Sequence, residues 1–81
     1  MNLELLNKIQ VMLIEFANKN GISLQAEFGT VEKFKQFVMA FTVKAIVDIC
    51  GMAVNQAWDI VFGSGSYEQL AESVWNATQP A

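Results

Sequence analysis

Histidine and arginine are both missing from this 81-residue chain. Without histidine, the commonest general base at neutral pH and the commonest neutral metal ligand are absent. Without arginine there is no bidentate fork for a phosphate or a guanine edge. The cations are Lys8, Lys19, Lys33, Lys35 and Lys44, and the net charge is -3. That balance does not build the basic face that nucleic acid requires, so direct nucleic-acid binding is not expected. Cys50 stands alone, which excludes an intrachain disulfide and a structural zinc site. A lone cysteine fits a reducing compartment, and Met1-Asn2-Leu3-Glu4 lacks the basic start of a signal peptide. A cytoplasmic location is the expectation.

Reactive constellations are absent as well. There is no Cys–His pair for nucleophilic catalysis. Asp48 and Asp59 would lie about three turns apart on a straight helix, too far to work as an acid and a base together. Gly63-Ser64-Gly65 lacks the spacing and the lysine of a phosphate-binding loop and reads as an interhelical turn. The expectation is a protein without enzymatic activity, cofactor or metal.

What is present is apolar. Hydrophobic residues make up 53% of the chain and charged residues 16%, against about 25% charged in an average domain. A chain of this length forms one domain, residues 1–81, and buries about 60% of its unfolded surface. With so few charges, it has more apolar surface than it can easily cover, and burial against another copy or a partner is the simplest remedy.

Residues 3–19 carry Leu3, Leu6, Ile9, Leu13, Phe16 and Ala17 on one helical face, with Glu4, Lys8, Glu15 and Lys19 opposite. Asn20-Gly21 supplies a left-handed helix end. In residues 22–28, Ile22, Leu24, Ala26 and Phe28 alternate with polar positions. The segment reads as an extended loop packed on the helices, in preference to a strand pairing across a dimer. Thr30 is an N-cap for the next helix, with Glu32 in its first turn. Ser66-Tyr67-Glu68-Gln69 fits a capping box for the last helix, whose apolar face is Tyr67, Leu70, Ala71, Val74, Trp75 and Thr78. Pro80 closes it.

The stretch between, AFTVKAIVDICGMAVNQAWDIVFG at 40–63, is mostly apolar, but Lys44, Asp48 and Asp59 interrupt it too often for a membrane span. On a helical wheel Lys33, Asp48, Asn55 and Asp59 fall within about 60° of Lys44. Nearly all the remaining circumference is apolar, the signature of a buried helix. Gly51 costs about 1 kcal/mol in a helix interior. Either it breaks the helix into roughly 31–50 and 52–62, or it lets another backbone approach closely. The predicted fold is all-α, a small bundle of three to four helices with a long, mostly buried central helix. Cys50, Trp58 and Trp75 read as core residues. Candidate interface positions are Ile46, Cys50, Gly51, Val54, Trp58 and Val61.

Within AWDIVFGSGSYEQLAESVW, the residues Val61, Phe62, Gly63, Gly65, Ser66 and Leu70 form a turn that resembles one in small structural or assembly-related proteins of Gram-positive bacteriophages. The resemblance covers about a quarter of the chain. It implies a phage or prophage origin and a protein-binding role without catalysis, and it transfers no site residues. The function expected from the residues is a protein–protein interaction domain that self-associates as a homodimer or higher species. Two alternatives stand beside it: a small acidic phage-encoded inhibitor of a host or defence protein, and a helical binder of an apolar ligand, since four methionines and six phenylalanines are available to line a cavity.

Overall fold

A computed structural model describes residues 3–78, and these are helical throughout apart from short turns. The order is α1 (Leu3–Lys19), α2 (Leu24–Phe28), α3 (Val31–Cys50), α4 (Val54–Ser64) and α5 (Ser66–Ala77). The all-α expectation therefore holds, with five helical segments in place of three or four. The two causes of the difference are α2 and the break at Gly51. Pro80 lies outside the described residues.

The first helix buries Ile9, Leu13 and Ala17, one residue every four. Phe16, expected on the same face, sits at its flank and stays 53% exposed. At the end of α1, Ile22 N–H donates to Ala17 C=O and Gly21 N–H donates to Asn18 C=O, with Gly21 at φ 62. These two bonds form a Schellman motif and satisfy carbonyls that the helix leaves open.

Residues 24–28 are a short helix and not the extended loop expected. The Ser23 Oγ accepts the Ala26 N–H at 3.4 Å and starts the turn. The apparent alternation was ambiguous, because Leu24 and Phe28 share a face at helical spacing too. Leu24 is buried and Phe28 half-buried, whereas Ala26 is exposed.

The third helix begins as its sequence indicates, with the Thr30 Oγ1 accepting the Lys33 N–H at 3.3 Å. It ends at Gly51, whose φ of 64 is left-handed and whose N–H donates to Val47 C=O. A Cβ on Gly51 would meet nothing within 4 Å. Conformation, not close approach, therefore requires glycine there. The continuous central helix is thus two helices, and α4 turns back onto α3. The capping box at Ser66 does not form. Gly65, at φ 66, occupies the cap position without a side-chain bond, and the Ser64 Oγ accepts the Ser66 N–H at 3.3 Å instead.

The centre of the bundle is α3, which touches α2, α4 and α5, while α1 packs on α5. One core joins Ile9, Leu13, Leu24, Phe34, Val38, Leu70 and Val74. A second, smaller core joins Val43, Ile46, Ala57 and Val61, and Leu5 and Tyr67 pack against both. Phe34 is fully buried, with its ring centroid 5.2 Å from Phe28 and 5.5 Å from Trp75. Two polar ties close this side. The Gln25 Nε2 donates to the Trp75 carbonyl at 3.1 Å, and the Lys35 Nζ lies 2.9 Å from the Glu72 Oε1.

Thr42, on α3, is fully buried, and its Oγ1 has no hydrogen-bond partner among the described residues. Replacing an unsatisfied hydroxyl by a methyl removes a desolvation cost, so Thr42→Val is expected to be neutral or to stabilise by about 1 kcal/mol in thermal melts. A clear loss of stability would show that the hydroxyl is satisfied in solution.

A second prediction concerns pH. The hydrogen bond to Glu72 raises Lys35 above its ordinary 10.5. Burial first, then the neighbouring Glu68 carboxylate, raises Tyr67 above 10.0. Both groups hold their protons more tightly folded than unfolded. Their contribution is complete below the unfolded values and is lost as pH rises through the folded ones. Stability should fall above about pH 10, and the lone tyrosine should ionise later in the native protein than in denaturant by ultraviolet titration. A tyrosine midpoint at or below that of the denatured chain would refute this.

Candidate interaction surface

The α4 helix presents two small residues to α3, Ala57 and Val61, both fully buried. Its other apolar residues have no inward direction left. Val54, Trp58 and Phe62 recur every fourth position and form a stripe on one flank, 62%, 42% and 60% exposed. Beside this stripe runs an apolar groove of about 250 Å³, walled by Ala40, Val43 and Val47 from α3 and by Val54 and Trp58 from α4, with Lys44 at its edge.

The six sequence-derived interface positions divide here. Val54 and Trp58 line the groove. Gly51 and Cys50 are exposed at the corner where α3 ends. Ile46 and Val61 are 2% and 0% exposed and belong to the core beneath the groove. Neither presents surface to a partner, because the reversal at Gly51 folds α4 over Ile46 and turns Val61 inward. Cys50 and Trp58, expected in the core, lie at the surface for the same reason. Trp75 is half-buried against Phe34. Phe62 was missed as a surface residue, although its spacing from Val54 and Trp58 was a readable signal.

The polar positions behave more simply. Lys33, Lys44, Asp48, Asn55 and Asp59 are all exposed.

A second hollow, about 280 Å³, opens between α1, α2 and α3. Phe16, Phe28, Phe34, Phe37 and Leu24 contribute to its wall. Glu27 alone is charged among the described residues that line it.

Among the described residues no group of three or more histidines, cysteines or carboxylates is placed to hold a metal ion. No helix among them is long and apolar enough to cross a membrane. No protein-family model, curated protein or solved structure matches the chain. The surface geometry therefore carries the functional argument.

The two classes of position should separate in thermal melts followed by circular dichroism. Ile46→Asp and Val61→Asp place an unpaired charge in the small core and should cost more than about 3 kcal/mol. At concentrations low enough to keep the protein monomeric, Val54→Asp should leave the fold within about 0.5 kcal/mol, since Val54 is exposed and an acid is favoured in the first turn of a helix. Equal damage from all three would mean that Val54 is a core residue.

Proposed function

We propose that this protein is a non-enzymatic interaction domain that forms a homodimer through the groove between α3 and α4. The observation that carries the reading is the stripe of Val54, Trp58 and Phe62 standing beside an apolar groove of about 250 Å³. A ridge next to a groove on one surface is self-complementary. Under two-fold symmetry, the ridge of each copy enters the groove of the other, and the contact closes on itself. Trp58 supplies the large rigid anchor that such contacts favour. Charge is sparse along the groove, with Lys44 at its edge, so little polar surface is stripped of water on docking.

The resemblance of the Val61–Leu70 segment to small assembly-related phage proteins supports a role for the dimer in particle assembly. It concerns the turn between α4 and α5 and names no residue of the groove. Neighbouring tail or capsid genes would agree with that role, and an early or accessory gene cluster would speak against it.

Light scattering on a sizing column across a concentration series tests the dimer directly. The expected result is twice the mass of 9.0 kDa at the upper concentrations. Trp58→Ala should weaken association by about thirtyfold, a typical loss for an aromatic anchor, with the helical circular dichroism unchanged. A strict monomer at every concentration overturns the proposal, as does a dimer indifferent to Trp58→Ala and Val54→Asp together.

A further inference from the structure

We infer that the phenylalanine-walled pocket between α1, α2 and α3 is a binding site for a compact hydrophobic amine, independent of the groove at α4. Three observations point to that chemistry. The first is size. The hollow measures about 280 Å³, whereas a cavity of about 150 Å³ holds a benzene ring. There is room for one ring or branched alkyl group with a short arm, and too little for a long acyl chain. The second is the wall. Phe28 and the fully buried Phe34 form its back, held by mutual packing and by Phe37 at 5.1 and 6.2 Å between centroids. Phe16 and Phe37 stand at the water-exposed side. A wall built by ring packing is preformed, so little ordering cost falls on the ligand.

The third observation is charge. Glu27 is exposed and is the charged group among the described residues lining the hollow, and the chain as a whole is acidic at -3. A ligand with an apolar body and a cationic end places the body among the rings. Its ammonium stays at the mouth, hydrated and beside the Glu27 carboxylate. A carboxylate ligand of the same shape would meet like charge there, and a neutral one would lack the charge attraction. Ring faces also attract cations, which adds to the same preference.

The test uses the isotope-labelled full chain and three probes of one shape: 2-phenylethylammonium, 2-phenylethanol and 3-phenylpropanoate. The expected result is saturable shifts confined to the Leu24, Phe28, Phe34 and Phe37 signals, at about millimolar probe, as suits so small a ligand. The amine should bind about two- to fivefold more tightly than the alcohol, the range for an exposed charge pair, and the carboxylate least. Glu27→Gln should remove the preference and leave the alcohol unaffected. Phe16→Ala, at an exposed position, should weaken all three. The sizing profile should not change with the amine, which separates this site from the dimer groove.

Absence of saturable shifts at this pocket overturns the inference. So do equal affinities for the three probes, or shifts centred on Trp58. Pocket signals that already move with protein concentration, without probe, would show a second copy filling the hollow and would also overturn it.

Discussion

The left-handed turn at Gly51 decides how this chain folds. The preceding helix carries apolar residues in two directions. Phe34, Val38 and Ala45 face one core, and Val43 and Ile46 face the other. The helices α1, α2 and α5 cover the first. The second needs a cover that arrives from the far end of α3, and only a chain reversal delivers it. Glycine reaches φ 64 without the steric cost that a Cβ imposes. An unbroken helix through position 51 would carry Ala57 and Val61 away from Ile46 and leave both surfaces in water.

That reversal sets the character of the surface. An 11-residue helix laid on another helix has one narrow strip in contact. In α4 the strip is Ala57 and Val61, small enough to let the backbones approach. The same helix is otherwise rich in large apolar side chains, and geometry leaves Val54, Trp58, Ile60 and Phe62 facing outward. The low charge content noted in the composition therefore appears as a localised stripe. Exposed apolar residues scattered singly are ordinary; a stripe of three beside a groove is the arrangement that favours association.

Much of the fold was legible because local chemistry dictated it. The Asn20-Gly21 end of α1, the Thr30 cap and the break at Gly63-Ser64-Gly65 are decided by residues within one turn, and their side-chain and backbone bonds appear as expected at the first two. The third misled: α4 runs through Gly63 and Ser64, only Gly65 interrupts the helices, and it takes the cap that Ser66 was suited to fill. The segment from Leu24 to Phe28 was opaque for a different reason: five residues are too few to separate a period of two from one of 3.6. The interface was half legible. Periodicity places Val54, Trp58 and Val61 on one broad apolar arc, and no pattern in a single sequence says which edge of that arc meets α3. Ile46 and Val61 fell to the core and Val54 and Trp58 to the surface, once the direction of α4 was fixed.

The two sides of α3 are held by different means. On the side of α1, α2 and α5, Phe34 is enclosed by rings, and the Gln25 bond to the Trp75 carbonyl spans 50 positions of sequence. On the other side, Ala57 and Val61 of α4 pack on Val43 and Ile46 with Met39, Val47, Met52 and Tyr67 around them, and the hydrogen bonds at the ends of α4 are local, from Ala57 N–H to Ala53 C=O and from the Ser64 Oγ to Val61 C=O. The core on this side is the smaller of the two, so its apolar burial stabilises less. In the proposed dimer, a second copy covering Val54, Trp58 and Phe62 would add buried apolar area on the side of the smaller core. A copy that bound only the docked form of α4 would stabilise that form by mass action. In that dimer, association and the seating of α4 would be one equilibrium, which gives the large apolar residues on the outer flank of α4 a physical role.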